Sequence, residues 1–293
     1  MNAAATLDRD WLRAHPLPGY GDATDKNSRG RLLCIGGGAS APGALLLTGE
    51  AALRAGCGKV QIATARAMIP HLAAAFPEAG MIALHADEEG DLTGDAAEML
   101  GGHVSHSDAL VIGCGTSHCD NVAALTESLL ATPHIELAVL LDAGACVAAR
   151  AIAESVRGHE GRMVMIPHPG EMATLMDVDL AEVERDGESV VRAAVDRFGA
   201  TVALRGAETI VGAPDGRLLR YPGGGIGLAT GGSGDVAAGV IGGLLARGAD
   251  PLTATAWGVW LHGEAGRNLG APGFLARELL PLIPRMIEAA AGR

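Results

Sequence analysis

The stretch "ATGGSGDVAAGVIGGLLARG", residues 229–248, places three glycines, a serine and a carboxylate in front of an apolar run. Gly231, Gly232 and Gly234 lack a Cβ, so the backbone can approach a ligand closely and point several N–H groups at it. The apolar run predicts a helix, whose positive dipole end would add to this anion site. Asp235 then falls in the first helical turn.

Asp235 has two interpretations. It could cap the helix, a role worth about 1 kcal/mol, but Ser233 or Thr230 could cap without a carboxylate. A carboxylate beside an anion site is useful when a hydroxyl lies between them and must lose its proton while attacking a phosphoryl group. The pattern therefore favours phosphoryl transfer, with Asp235 as general base and the amides of Gly232, Ser233 and Gly234 as the anion hole. The loop lacks the Lys-Ser/Thr pair of a Walker A motif.

A second glycine-rich loop, "GGGASA" (Gly36–Ala41), follows an apolar run and matches G-x-G-x-x-A. A dinucleotide fingerprint is disfavoured because Pro42 and Gly43 stand where its helix should be running. The next apolar run also ends in Ala65 and Arg66 rather than in an acidic residue. A tight strand-to-helix turn and a wall for a substrate phosphate or ring both stay open.

Composition excludes several classes of protein. The 293 residues are 48% hydrophobic but only 3% aromatic, and the net charge of −12 with scattered Lys and Arg argues against a nucleic-acid partner. Asp8, Arg9 and Asp10 interrupt any signal peptide, and no apolar run approaches the ~20 residues that span a bilayer. The odd count of five cysteines fits reduced thiols. We expect a cytoplasmic protein that does not enter a membrane, assembled as a homo-oligomer.

One cysteine cluster invites a metal interpretation. Cys114, His118 and Cys119 are close in sequence, but no second pair completes a site, so ordinary packing is favoured.

Apolar runs alternate with helical stretches, which predicts a mostly parallel sheet covered by helices on both faces. Two short strands around Pro214-Asp215-Gly216 predict a hairpin within Glu208–Gly223. A helical stretch is predicted over Leu180–Phe198, and two C-terminal helices are predicted near Leu252–Asn268 and Phe274–Ala291. The fold class is α/β, with one domain over residues 1–293 and residues 1–25 as an extension packed on it. Ligands in such sheets bind beyond the carboxyl ends of the strands.

Six segments resemble the ADP/ATP-dependent NAD(P)H-hydrate dehydratases of the ribokinase-like superfamily. These enzymes form the carboxy-terminal half of bifunctional nicotinamide-nucleotide repair enzymes. "IPHPGEMATLM" (Ile166–Met176) is similar to the family's Pro-His-Pro-Gly-Glu segment, and the opening stretch is similar to its glycine-rich signature. The other four segments agree in order: Lys26–Gly37, Ala41–Thr64, "LRGAETIVGAPDG" (Leu204–Gly216) and "LHGEAG" (Leu261–Gly266).

The resemblance implies a three-layer ribokinase-like fold and a known reaction. NADHX or NADPHX, hydrated at C6 of the nicotinamide ring, is phosphorylated on that hydroxyl by ADP or ATP, and phosphate then leaves. It also implies Mg²⁺, ordered through water by Glu171, and an NAD(P)HX epimerase acting in trans. Nucleotide-binding positions would be Arg205, Gly206, Ala207, Glu208, Thr209 and Gly234. Substrate-binding positions would be Ala44, Gly115, His168 and Asp235.

Four departures from the family pattern concern substrate choice more than reaction type. They are "GCGTS" (Gly113–Ser117), Gly144 in "LDAGA", Arg205 in place of lysine, and "GGIGLA" (Gly224–Ala229). Two alternatives therefore stay open. One is a small-molecule kinase of the same fold, acting on a vitamin precursor or sugar. The other is a non-catalytic nucleotide-binding relative.

Overall fold

A computed structural model describes residues 3–20, 25–117, 120–131 and 136–292. The strands are β1 (Ala5–Thr6), β2 (Arg31–Ile35), β3 (Lys59–Ala65), β4 (Gly80–Leu84), β5 (Ala109–Ile112), β6 (Ala138–Leu141), β7 (Met163–Met165), β8 (Thr201–Leu204), β9 (Thr209–Gly212) and β10 (Leu218–Tyr221). The α-helices are α1 (Arg9–Ala14), α2 (Ala44–Arg54), α3 (Ile69–Ala75), α4 (Gly101–Val104), α5 (Asp120–Leu130), α6 (Ala143–Ala148), α7 (Ala153–Arg157), α8 (Pro169–Met176), α9 (Leu180–Arg185), α10 (Gly187–Phe198), α11 (Ser233–Ala246), α12 (Pro251–Leu269) and α13 (Ile283–Ala290).

The strands form one sheet in the order β1-β10-β9-β8-β7-β6-β5-β2-β3-β4. All pairings from β8 through β7, β6, β5, β2 and β3 to β4 are parallel, and the antiparallel pairs are β8–β9 and β9–β10. The mostly parallel α/β sheet predicted from the apolar runs is therefore confirmed. The carboxyl ends of β5, β6, β7 and β8 lie side by side, which brings their following loops to one edge.

Alternation along each strand builds two hydrophobic layers. Leu32 and Cys34 of β2 pack in the layer that contains α2, α11 and α12, whereas Leu33 and Ile35 pack in the layer that contains α5, α8 and α10. Successive strand residues point to opposite faces, so buried strands with apolar residues throughout require helices on both sides. This is the three-layer arrangement expected from the sequence.

The hairpin prediction is confirmed, because β9 and β10 pair antiparallel with Leu218 opposite Gly212. Two helix predictions are wrong in part. Residues 180–198 form two helices, since the Asp186 carboxylate accepts from the Ser189 amide and starts a new helix there. Residues 274–282 contain 3₁₀ turns and only Ile283–Ala290 is α-helical, which is consistent with the prolines at 281 and 284.

The loop Gly36–Ala41 is a tight turn. The Gly37 amide donates to the Cys114 carbonyl (2.9 Å) and the Gly38 amide donates to the Gly115 carbonyl (3.0 Å). These N–H groups are therefore already engaged by the loop after β5, which removes the donors that a dinucleotide fingerprint would offer to a pyrophosphate.

The amino-terminal segment adds to the far edge of the sheet. β1 pairs parallel with β10, and the Trp257 indole donates to the His15 carbonyl (2.8 Å). The assignment of residues 1–293 to one domain stays a prediction. Within the described residues, no helix is both long enough and apolar enough to cross a membrane.

The close packing of α11 on α2 fixes the position of the anion site. A Cβ at Gly239 would lie 2.2 Å from the Thr48 carbonyl oxygen and 2.7 Å from the Ala51 Cβ. Only glycine allows this approach, so a methyl group here must push the two helices apart.

We expect Gly239→Ala to lower the free energy of unfolding by about 1–3 kcal/mol, the usual range for overpacking. Urea unfolding followed by circular dichroism measures it. Gly102→Ala in α4 is the matched control, because a Cβ there meets nothing within 4 Å. Equal stability of the two variants would contradict the account of this contact.

Candidate active site

The amino end of α11 has no side-chain cap. Gly232 is the N-cap residue, in the left-handed conformation with φ +86°, and no side-chain capping hydrogen bond is present. Asp235 lies in the first turn of the helix, as predicted, but does not cap it. The structural interpretation of Asp235 as a cap is therefore wrong, and its carboxylate needs another explanation.

The three amides predicted for the anion hole are not equivalent. The Ser233 amide donates to the Thr230 carbonyl (3.3 Å), so it is already engaged. The Gly232 and Gly234 amides donate to no acceptor among the described residues, which for Gly234 is expected at the second position of a helix. Gly234 therefore offers a backbone donor here, whereas Ser233 has its hydroxyl to offer.

Arg205 follows β8 and lies against the amino end of α11. Its Nε donates to the Ile166 carbonyl (2.6 Å), and its Nη2 lies 3.0 Å from Asp142 Oδ1 and 3.8 Å from Glu171 Oε2. A Cβ at Gly234 would lie 2.3 Å from Arg205 Nη1. The guanidinium therefore sits directly on Gly234 and adds a fixed positive charge to the helix end.

Two aspartates and a thiol converge beside it. The Sγ of Cys114 and one carboxylate oxygen each of Asp142 and Asp235 lie within 4.8 Å of one another. Burial and the negative charge of Asp142 together raise the pKa of Asp235 to about 6, with Arg205 opposing both. A carboxylate with a pKa close to neutral is well matched to accept a proton during a reaction.

His168 and Glu171 form a capping box at the start of α8. His168 Nδ1 accepts from the amides of Gly170 (3.0 Å) and Glu171 (3.3 Å), and Glu171 Oε2 accepts from the His168 amide (2.8 Å). Because Nδ1 is an acceptor, the neutral imidazole carries its proton on Nε2, and His168 is then a donor at that atom. His168, predicted to bind the substrate, therefore also has a structural role through Nδ1, and its Nε2 lies 3.4 Å from Glu171 Oε1.

The residues fit a magnesium ion only in part. Asp142, Asp235 and Glu171 supply the oxygen ligands that a hard cation prefers. The Glu171 carboxylate is held by the capping box and faces Arg205, so contact through water suits it better than direct ligation. The Cys114 thiol is a poor ligand for Mg²⁺, and the three-residue cluster around it is not a magnesium cage.

A cavity of about 910 Å³ opens between β8, α11 and α12. It is lined by most of the predicted nucleotide residues: Arg205, Gly206, Ala207, Thr209 and Gly234, together with His168. Glu208 is not among its walls, because its carboxylate pairs with Arg220 at the surface. Glu208 is therefore unsuited to contact the ligand through its side chain.

Ala44 and Gly115 contact each other next to the cluster of Cys114, Asp142 and Asp235. A Cβ at Gly115 would lie 2.8 Å from the Ala44 Cβ, and Gly115 directly follows Cys114 of the aspartate cluster. The predicted substrate residues Ala44 and Gly115 therefore adjoin the carboxylates, while the nucleotide residues line the cavity. Asp235 lies where the two sets meet.

Two departures from the family pattern turn out to be coupled. A Cβ at Gly144 would lie 2.3 Å from the Ser117 carbonyl oxygen and 2.9 Å from Thr116 Oγ1. The loop "GCGTS" thus packs on Gly144, and a side chain at 144 would collide with it. Residues 113–117 and Gly144 therefore form one packed unit.

Sequence reasoning gave no role to three residues that the structure brings to the site: Asp142, Cys114 and His262. Asp142 follows β6, and a lone carboxylate at the carboxyl end of a strand was the available signal. His262 lies in the "LHGEAG" segment and its Nε2 is 2.8 Å from Ser233 Oγ. Of the cluster Cys114, His118 and Cys119, the last two lie outside the described residues.

The fold and site define a ribokinase-like α/β protein with a half-buried carboxylate, Asp235, at the end of a helix. The chain matches the NAD(P)H-hydrate dehydratase family over residues 32–285, and it belongs to that family. The ADP-dependent (S)-NAD(P)H-hydrate dehydratase of Xanthomonas campestris is 43% identical over 94% of this chain and 94% of its own length. The resemblance and the fold class inferred from the sequence are confirmed.

Two further comparisons show how far the similarity extends. The bifunctional NAD(P)H-hydrate repair enzyme Nnr of Moorella thermoacetica is 34% identical over 96% of this chain, which spans only 53% of that enzyme. The crystal structure of the ADP/ATP-dependent NAD(P)H-hydrate dehydratase from Bacillus subtilis, co-crystallised with ATP/Mg²⁺, has a TM-score of 0.79 at 25% identity. That match covers 99% of this chain and 100% of the other.

The raised pKa of Asp235 predicts an acid limb in the pH profile. A base with a pKa of about 6 is protonated below that pH, so kcat/KM should fall tenfold per pH unit there and level off above it. Asp142→Asn removes a like charge and should move the limb to lower pH. Rates between pH 5 and 8, with both substrates far below saturation, measure this; an unmoved limb would contradict the coupling.

The contact of Arg205 with Gly234 predicts a specific defect. In Gly234→Ala the new methyl group must displace the guanidinium, the flexible end of a side chain, so the protein should still fold. Calorimetry should show nucleotide binding weakened by about 10-fold or more, as expected when a charge-assisted hydrogen bond is lost. Gly102→Ala serves as control, and unchanged affinity in Gly234→Ala would refute the placement of Arg205.

Proposed function

We propose that the chain is an ADP- or ATP-dependent NAD(P)H-hydrate dehydratase that acts on NADHX or NADPHX by phosphorylation and elimination. The observation that carries the proposal is the half-buried Asp235 carboxylate beside Asp142, at the uncapped amino end of α11. Membership of the family and the named activity of the relatives support it.

Asp235 is the general base. The C6 hydroxyl of the hydrate gives its proton to the carboxylate as its oxygen attacks the terminal phosphorus of the nucleotide. The new bond joins that oxygen to phosphorus, and the bond from phosphorus to the bridging oxygen breaks, which releases AMP from ADP or ADP from ATP. The raised pKa of Asp235 favours this proton transfer near neutral pH.

Elimination then follows from the chemistry of the substrate. Phosphate is a far better leaving group than hydroxide, so the lone pair of the ring nitrogen can expel it from C6. Loss of a proton from C5 restores the C5–C6 double bond of the dihydronicotinamide. The nucleotide therefore serves to convert a poor leaving group into a good one.

Positive groups at the helix end hold the transferring phosphoryl group. The Gly234 amide, the dipole of α11 and the Arg205 guanidinium all face this point, with Gly232 and Ser233 completing the loop. Such preorganised charge is commonly the largest single contribution to a reaction that develops charge on oxygen. Gly206, Ala207 and Thr209 line the cavity for the nucleotide.

Mg²⁺ would neutralise charge on the phosphates when bound. Glu171, and the oxygens of Asp142, are the groups of this chain suited to hold it, Glu171 through water. Ala44 and Gly115 would contact the hydrated dinucleotide, and the Nε2–H of His168, which lines the cavity with the nucleotide residues, would donate to it from that side. We also infer that an NAD(P)HX epimerase is the functional partner of this activity, since relatives of about twice this length are named bifunctional NAD(P)H-hydrate repair enzymes.

The test is Asp235→Asn, which keeps size and removes the base. We expect kcat for recovery of NADH absorbance from NADHX to fall about 10²–10⁴-fold, the contribution of positioned proton transfer. ATP affinity should hold or rise slightly, because a negative charge near the phosphates has gone. Asp196→Asn, at an exposed aspartate on α10, is the matched control.

Two outcomes would overturn the proposal. Near-parental turnover by folded Asp235→Asn would remove Asp235 from the chemistry. A stable phosphorylated product without NADH recovery, in the parent protein, would identify a kinase of the same fold instead.

A further inference from the structure

His262 contacts the anion site through one atom of Ser233. It lies on α12, whereas Ser233 opens α11, and the distance from His262 Nε2 to Ser233 Oγ is 2.8 Å. Both residues line the cavity that holds Arg205 and Gly234. Ser233 is only 5% exposed, so its hydroxyl has few alternative partners.

The Ser233 amide cannot serve an incoming phosphate, because it already donates to the Thr230 carbonyl. What Ser233 can offer is its hydroxyl, which has one proton to donate and two lone pairs. If His262 Nε2 is an acceptor, the hydroxyl proton points at the imidazole and only lone pairs face the phosphate. If Nε2 carries the proton, the hydroxyl accepts from it and is free to donate.

A phosphoryl group carries only acceptors, so the second arrangement is the one that stabilises it. We propose that His262 is a positioning residue whose Nε2–H donates to Ser233 Oγ, so that the Ser233 hydroxyl donates to the terminal phosphoryl group of the nucleotide. The effect on turnover of NADHX rests on the proposed function, whereas the effect on nucleotide binding rests only on the cavity. In this proposal His262 acts through Ser233 and makes no contact with the reacting atoms, although its ring lines the same cavity.

The electrostatics agree with a neutral imidazole in this role. Burial and, to a smaller extent, repulsion from the Arg205 guanidinium lower the pKa of His262 to about 4, and a contact with the Ser233 backbone opposes them in part. At neutral pH the ring therefore carries a single proton, and the position of that proton decides what Ser233 can do.

Two variants of His262 distinguish loss of the Nε2 contact with Ser233 from loss of the volume of the imidazole ring. In His262→Gln the side-chain amide reaches the position of Nε2, whereas in His262→Asn it ends near Nδ1 and leaves Ser233 without its partner. We expect Ser233→Ala to lower kcat about 10²-fold, as for loss of one oxyanion-hole donor. His262→Asn should lower kcat about 10-fold with KM changed less than about threefold, and His262→Gln should stay within about threefold of the parent.

The decisive comparison is the double variant. If His262 acts only through Ser233, then His262→Asn should have no further effect on kcat or on the Kd for Mg-ATP in the Ser233→Ala background. Multiplied effects in the double variant, or equal losses in the Gln and Asn variants, would overturn the proposal. Thermal unfolding of each variant separates a folding defect from loss of the contact.

A spectroscopic measurement needs no turnover. The ¹⁵N shifts of the His262 ring in the parent protein bound to Mg-ATP, assigned by their loss in His262→Gln, report which nitrogen is protonated. Protonation at Nε2 is expected, and protonation at Nδ1 alone would refute the inference. The ¹⁵N shifts and the ATP affinities can be measured without NADHX. They therefore test the role of His262 even if the protein does not dehydrate NADHX, so failure of one proposal can be told from failure of the other.

Discussion

The site depends on a single guanidinium shared between buried carboxylates at the end of a helix. Arg205 binds Asp142 and faces Glu171, and its other nitrogen rests on Gly234. Two carboxylates as close as Asp142 and Asp235 would otherwise repel each other strongly in a poorly hydrated place. Arg205 offsets part of that repulsion and leaves Asp235 with a pKa near neutral, where a base is most useful.

Glycines set the distances on which this balance depends. Gly234 admits the guanidinium to the helix end, Gly239 lets α11 settle on α2, and Gly144 admits the loop after β5. Each of these three contacts holds a helix or loop that carries a site residue against its neighbour. The arginine in place of the family's lysine is accommodated here because its planar head can lie flat where a Cβ would otherwise be.

Much of the fold was readable from the sequence because its signals are local. The apolar runs with glycine-rich ends predicted the parallel sheet, and Pro214-Asp215-Gly216 predicted the hairpin that β9 and β10 form. The break at Asp186 was missed because apolar residues keep a helical spacing across it. Asp186 accepts from the Ser189 amide and caps the second helix, and an aspartate at that position was the signal available in the sequence.

The site could be predicted from the sequence only where its residues lie together in one segment. Asp235 and the glycines before it lie within five residues of sequence, so their relation could be inferred directly. Asp142, Cys114 and His262 come from three distant segments, and their meeting depends on β5, β6 and α12 being neighbours of α11. The engaged Ser233 amide likewise depends on the turn at Thr230, which no residue pattern announced.

The central claim is that the C6 hydroxyl oxygen is phosphorylated before it leaves. NADHX labelled with ¹⁸O at that hydroxyl, incubated with the protein, Mg²⁺ and ATP, tests it directly through the mass of the inorganic phosphate released. The account predicts one ¹⁸O atom in each phosphate and one phosphate per NADH recovered. Label found in water, with unlabelled phosphate, would show that the hydroxyl leaves without being phosphorylated and would contradict it.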